Sequence, residues 1–358
     1  MINNLFKVVL DSHTSLDYKH KRDIINATLN KSTLNEMVDI AVNYLTNNVK
    51  NYKIDLFRES FSNNNYQSIL KSYKLKGITV ITETDALYPN ELKNTPFAPI
   101  CLYAKGNLNL LASKNKFSIV GSRKTPPQIL KLTESISNKL ASAGVTIVTG
   151  IAVGGDLSAI KGAIETKNVI SVLAGGFDFC LSEYNSDYIE KLFKNGLVIT
   201  EHPPCVKAMP YSYPIRNRII AGLSMGTLIV SGSHKSGARH TANYALEYGR
   251  DVFAFPYLPC TSQGELCNKL IKDGAYLVET ASDIAEVCGF DIEKSASLQL
   301  SGTEKTVFEV ISKGSVSVDA IAEETGLKVF ELMPVLTLLE IKGVIVKDGN
   351  GEYVATQN

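Results

Sequence analysis

Between about residue 115 and residue 290 the chain alternates short, almost wholly apolar runs with longer amphipathic ones. That alternation limits the possible folds more than any other feature of the sequence. The apolar runs are KFSIVGS, VTIVTG, NVISVLAGG, LVITEHPP, GTLIVSG and DVFAFP. Runs of this length without polar alternation read as strands buried on both faces. Between them lie QILKLTESISNKLASAG, DLSAIKGAIE, SDYIEKLFKNG and RHTANYALEYGR, which carry apolar residues at helical spacing. Buried strands separated by helices imply a mostly parallel sheet covered on both sides. With right-handed crossovers this is a doubly wound, Rossmann-like α/β fold.

The flanks have a different texture. Residues 1–86 are rich in Asn and Lys and read as a helical N-terminal region, with periodicity in LNEMVDIAVNYLTNNV and YQSILKSYKLKG. A stretch with Pro89, Pro96 and Pro99 reads as a connecting arm into the α/β domain, set at 87–290. Residues 300–358 read as three helices followed by a hairpin with its turn at Gly349, Asn350 and Gly351, which is a winged-helix pattern. A chain of 358 residues with 44% hydrophobic and 20% charged residues supports such cores and excludes global disorder. Its six cysteines form no CxxC pair, as expected of reduced thiols in a cytoplasmic protein. No signal peptide is expected, and the longest apolar stretch falls short of the roughly 18 residues of a membrane span.

Ligands of open α/β sheets bind beyond the carboxyl ends of the strands. Four glycine-rich segments fall there: GSRKTPP, TGIAVGGD, AGGFD and SGSHKSGAR. Glycine lets backbone approach a ligand, and the helix N-termini that follow offer N–H groups to an anion. The nucleotide signatures nevertheless fail. Arg123 stands where a dinucleotide fingerprint needs its second glycine, and Ala238 and Arg239 replace the Lys and Ser/Thr of a P-loop. The loops instead carry cations: Arg123 and Lys124 after the first strand, Arg216 and Arg218 around Asn217 ahead of a helix, and Lys235 and Arg239 around Ser236 and Gly237. A row of cations suits a chain of phosphates better than one pyrophosphate. Tyr211 and Tyr213 offer faces for base stacking, with core packing as the competing role. For Arg216 and Arg218 the competing role is a structural ion pair, for example with Glu201 or Asp178. Asp156 and Glu201 read as residues that hold loops. His202, His234 and His240 lack metal-ligand spacing, and no nucleophile stands in a recognisable elbow. No catalytic residue, metal or cofactor is expected.

Residues 87–279 resemble the DNA-processing protein A (DprA, or Smf) family. The resemblance rests on YPNELKNTPFAPICLYAKGN, IVGSRKTPP, VTIVTGIAVGGD, VLAGGFD, GLVITEHPP, YPIRNRIIAGLS, KSGARHTANYALEYGRDVFAFP and NKLIKDGAYLV, in that order. It implies an extended Rossmann fold that binds single-stranded DNA, forms a homodimer and loads a RecA-type recombinase during natural transformation. It implies DNA contacts at Ser122, Arg123, Lys124, Gly150, Arg216, Asn217, Arg218, Lys235, Ser236 and Gly237; Tyr213 and Arg239 join the candidate list from the loop reading. The chain departs from the family at Val153, where an arginine is usual, and at Gly155, Ile160, Ser231 and Tyr213. The first departure removes one cation from the rim.

The tail differs from a DNA reader in charge. From Thr303 to Asn358 five lysines face nine acids, a net of −4, whereas a groove-reading helix is expected to be basic. It reads as a packing or protein-contact element. Two alternatives use the same scaffold. One is a nucleotide phosphoribohydrolase resembling the "lonely guy" enzymes, although Phe177 and Asp178 follow Gly175 and Gly176 where that motif needs glycine, threonine and a glutamate. The other is a sensor of a small phosphorylated ligand.

Overall fold

Each of the six apolar runs forms a strand of one sheet. In the computed structural model they are β3 (Lys116–Gly121), β4 (Thr146–Thr149), β5 (Val169–Val172), β6 (Leu197–Thr200), β7 (Gly226–Ser231) and β8 (Asp251–Ala254). Three more strands join them: β1 (Thr79–Thr82), β2 (Cys101–Gly106) and β9 (Tyr276–Leu277). The spatial order is β1-β2-β6-β5-β4-β3-β7-β8-β9. Strands β3 to β9 run parallel, and β2 pairs antiparallel with both β6 and β1. The segment read as a connecting arm is therefore partly sheet. Its prolines precede β2 and obscure it, while CLYAKG pairs with β6 and carries β1 beyond it. The structure describes residues 2–180, 186–292 and, within 302–355, all but 313, 315, 342, 343, 349 and 350.

The inner strands divide their side chains between two cores, as period-two geometry requires. Phe117 and Ile119 of β3, Val198 of β6, Leu228 and Val230 of β7 and Phe253 of β8 enter one core. Val120, Leu197, Ile199, Ile229 and Val252 enter the other. Helices Ser212–Leu223, Ala238–Glu247 and Glu265–Lys272 supply the second core, and Pro127–Ser142, Gly155–Ala163 and Ser186–Asn195 the first. Both sheet faces are covered, which is why the strands are apolar throughout.

Strand order places the crevice. The chain steps outward from β3 through β4, β5 and β6, then returns to the other side of β3 at β7. The β3–β7 junction is the switch point, where the following helices leave toward opposite faces and open a gap.

The chain divides into two compact units, Met1–Ile292 and Glu293–Asn358. In the first, the N-terminal helices share the core of the sheet: Phe6, Leu10, Ile24, Met37, Leu45 and Phe57 lie in the same cluster as Tyr103 and Phe117. Charges tie the two parts as well. Tyr103 donates to Asp11 (2.8 Å) and Lys21 donates to the same carboxylate (3.1 Å). Glu83 accepts from Lys7 (2.9 Å) and Arg22 (2.6 Å). The second unit contains helices Gly302–Ile311, Val318–Thr325 and Val329–Ile341 with an antiparallel pair, β10 (Ile345–Lys347) and β11 (Tyr353–Ala355). Gly349 and Asn350, expected at the hairpin turn, lie outside the described residues.

Acid acts on the N-terminal region in two windows. His13 contacts Ser60 (2.9 Å) and Tyr52 (3.1 Å), and burial pushes its imidazole down to about 4. The unfolded chain takes that proton near pH 6.5, so stability falls as the pH drops from 6.5 toward 4. Desolvation is the largest single influence on Glu83, but its hydrogen bonds and charge attraction with Arg22 and Lys7 outweigh it and hold the carboxyl below its ordinary value. Its contribution is present above pH 4.5 and is lost as the pH falls further. Urea unfolding between pH 7 and 3 is expected to show a loss on the order of 2 kcal/mol in the first window, absent in His13→Gln. Glu83→Gln is expected to be weaker at pH 7 by about 3 kcal/mol.

Candidate nucleic-acid interface

The floor of the crevice is built by loops packed on one another. The turn after β3 is pinned to the end of β7: Ser122 N donates to Ser231 O (3.2 Å) and Oγ (3.0 Å), and Thr125 Oγ1 donates to Ser122 O (2.7 Å). The loop after β4 presses against this turn from the other side. Gly154 has φ +104°, and a Cβ there would lie 2.2 Å from Ser122 O. A Cβ on Gly155 would lie 2.6 Å from the Gly121 Cα. These glycines therefore bring backbone to backbone, where the sequence reading had them open to a ligand. Asp156 bridges the two loops, accepting from Gly121 N (3.3 Å) and Ala152 N (3.4 Å). Burial raises its carboxyl above the ordinary value, with Arg216 as the main opposing charge. It holds the loops, as expected.

The helix Ser212–Leu223 begins before Pro214, which the first turn accommodates, so Arg216 and Arg218 lie inside the helix and not ahead of it. Two residues apart on a helix, they face different sides. Arg216 is buried beneath the crevice, donating to Val172 O and, through Nε, to Asn217 Oδ1 (3.0 Å). A Cβ on Gly150 would meet both Asp156 Oδ2 (2.1 Å) and the Arg216 guanidinium (2.8 Å). Gly150 thus makes room for these two groups and is itself buried, not a surface contact. Arg218 points away and grips Glu201 with both amino groups (3.0 and 2.6 Å). Its side chain is 7% exposed, so the expectation that Arg218 lies on the rim is corrected: it makes the structural ion pair.

The cleft has a volume of about 340 Å³ and is lined by Ser122, Arg123, Lys124, Tyr213, Arg216, Asn217, Ser236 and Gly237 among others. Eight of the twelve candidates thus converge. Arg123 and Lys124 are exposed at the lip, and the Arg123 guanidinium stands 5.9 Å from the Tyr213 ring centre. Asn217 donates to Gly237 O (3.2 Å), tying the arginine helix to the loop after β7. Lys235 is exposed in that loop but does not line the cleft. Arg239 turns to a separate cavity beside Lys269 and Asn243, because the helix Ala238–Glu247 carries it to its far side. Among the described residues Arg123, Lys124 and Lys235 make no ion pair, and no cluster of three His, Cys, Asp or Glu is placed to hold a metal.

One lining residue escaped sequence reading. Thr241, in the first turn of Ala238–Glu247, is fully buried, and its Oγ1 has no hydrogen-bond partner. A buried hydroxyl without a partner is rare and is expected to find one in a ligand or in water. Its position one turn into a helix that follows a cation-bearing loop was the available signal.

The family model for DNA recombination-mediator protein A matches residues 79–289, more than half of the chain. The chain belongs to this family. A second model, the DprA winged helix domain, matches residues 293–351. The DNA processing protein DprA of Bacillus subtilis is 36% identical over 219 residues, covering 61% of this chain and 74% of the relative. The Streptococcus pneumoniae DprA structure covers 80% of this chain and 98% of its own, with TM-score 0.65 and 27% identity. A Helicobacter pylori DNA processing protein A structure, solved for its single-stranded DNA binding mode, covers 60% of this chain and 97% of its own, with TM-score 0.55 and 25% identity. The family resemblance of the α/β core, the helical N-terminus and the winged-helix tail are all borne out. At two of the positions read from the sequence as departures from the family pattern, the structure shows a use. Ser231 pins Ser122 and Thr125, and Gly155 packs on Gly121. Val153 is 64% exposed on the β4 loop.

Removing Arg218 leaves the partly buried Glu201 carboxylate without its partner, so Arg218→Ala is expected to cost about 3 kcal/mol in urea unfolding. Lys235→Ala is expected to stay within about 0.5 kcal/mol of the parent.

Proposed function

We propose that the cleft between the β3 and β7 loops binds single-stranded DNA with little sequence preference. The observation that carries this reading is the pairing of exposed, unpaired Arg123 and Lys124 with the Tyr213 ring over a cationic floor at Arg216. Cations take phosphates, the aromatic face takes an unstacked base, and neither reads a base edge. Similarity to the Helicobacter pylori protein supports it. The family's description as a recombination mediator supports the further reading that the protein passes the strand to a RecA-type recombinase; the family resemblance of the sequence adds a homodimer acting in natural transformation. Its place of action is then the cytoplasm. Among the described residues no helix is long and apolar enough to cross a membrane.

The nucleotide-hydrolase alternative is disfavoured by the loop after β5. Backbone covers the glycines that would cradle its phosphate: a Cβ on Gly175 would lie 2.6 Å from Ala208 N, and one on Gly176 2.3 Å from Pro203 O. The protein is read as a binder without turnover.

Anisotropy titrations of labelled single- and double-stranded oligonucleotides at two salt concentrations test the proposal. Single-stranded affinity is expected to dominate and to fall steeply with salt. Arg123→Ala is expected to weaken it about tenfold and to flatten the salt slope by about 0.7. Deleting residues 295–358 is expected to leave most of the affinity. A flat salt dependence, release of free base from AMP, or competition by mononucleotides as strong as by oligonucleotides would each reject the reading.

A further inference from the structure

A winged helix that reads DNA presents polar and basic side chains of its third helix to base edges and phosphates. The helix Val329–Ile341 presents the opposite chemistry. Leu332, Leu336 and Leu339 are fully buried in the core of their unit. On the other side Val329, Phe330, Met333 and Leu338 are 46%, 70%, 40% and 46% exposed. At about 100° per residue, Phe330, Met333, Pro334 and Thr337 form one stripe, with Val329 and Leu338 at its edges. The same spacing puts Glu331 and Glu340, both exposed, on opposite flanks of that stripe; Glu331 accepts from Lys328 N (3.1 Å), and the Lys328 ammonium, 5.9 Å from the Phe330 ring centre, is the one cation placed against the stripe among the described residues.

We propose that this face docks an amphipathic helix of a partner protein, one whose apolar stripe is bordered by lysine or arginine. An apolar stripe buries the partner's apolar residues, as in other helix-docking surfaces. The flanking glutamates choose the sign of the partner's borders and disfavour like charge. Double-stranded DNA does not fit, because its phosphates would face glutamates and its grooves would meet unmatched apolar side chains. A second copy of the same face does not fit either. Two-fold pairing would bring glutamates against glutamates between units that each carry −4 over residues 303–358. The inference stands on the second unit alone and is independent of what the cleft binds.

The test uses the full chain with Phe330→p-benzoylphenylalanine, irradiated in the cells that make it, with the adduct mapped by mass spectrometry to the residue it joins. The expected product joins position 330 to a segment of another protein that has apolar residues at i, i+3 or i+4, and i+7, and a net positive charge. Combining Glu331→Lys with Glu340→Lys is expected to lower the adduct about tenfold, and Met333→Glu with Leu338→Glu to do the same. Unchanged thermal unfolding of these surface variants shows that the fold is kept. An adduct to DNA, to a second copy, or to an acidic segment overturns the proposal. So does a yield no higher than from the same photo-residue at exposed Glu323, or an adduct that survives charge reversal.

Discussion

The cleft depends on the closeness of two loops. Gly154 and Gly155 lie against Gly121 and Ser122 at distances that leave no room for a Cβ, and Gly154 takes a φ of +104° that other residues rarely adopt. Asp156 bonds across this contact, and Ser122 is tied to Ser231 on the far side. The turn that carries Arg123 and Lys124 is therefore held from both flanks by backbone and buried hydrogen bonds. The lip is rigid below and free above. That arrangement orders the cations without spending them on internal partners.

The arginines of one short helix divide between two tasks because of where their neighbours lie. Arg216 and Arg218 lie two positions apart, with Asn217 between them, and burial decides the rest. A buried guanidinium must be paired or hydrogen-bonded, since an unpaired buried charge is costly. Arg218 finds Glu201 and becomes part of the scaffold. Arg216 finds the carbonyl of Val172, beneath Gly150 and near Asp156, and still lines the cleft. The result is a cationic floor that is fixed in place and a lip that can meet a mobile polyanion.

Much of the fold was legible because its pattern is strong. Six apolar runs named six strands correctly, and the pattern of the tail matched a winged-helix unit. The strand β2 was hidden because Pro99 precedes it and its six residues look like an arm; only pairing with β6 makes CLYAKG a strand. In the cleft, Ser122, Arg123, Lys124, Tyr213, Asn217, Ser236 and Gly237 were found because they sit in strand-end loops or beside them. Arg239 was misplaced because helix phase cannot be read when the helix start is uncertain by a residue or two. Thr241 was missed because its place one turn into a helix is a weak signal until its buried, unpartnered hydroxyl is seen.

By itself the sequence determined the six central strands and the helices between them, the rim on which the glycine-rich loops gather, and the sign of charge each part presents. Those follow from local periodicity and composition. Only the tertiary structure decided which cations face outward, which glycines serve packing, and which hydroxyl is left without a partner. Each of those depends on contacts between residues far apart in the chain, such as Arg218 with Glu201 or Gly154 with Ser122, and local sequence carries no record of such distances.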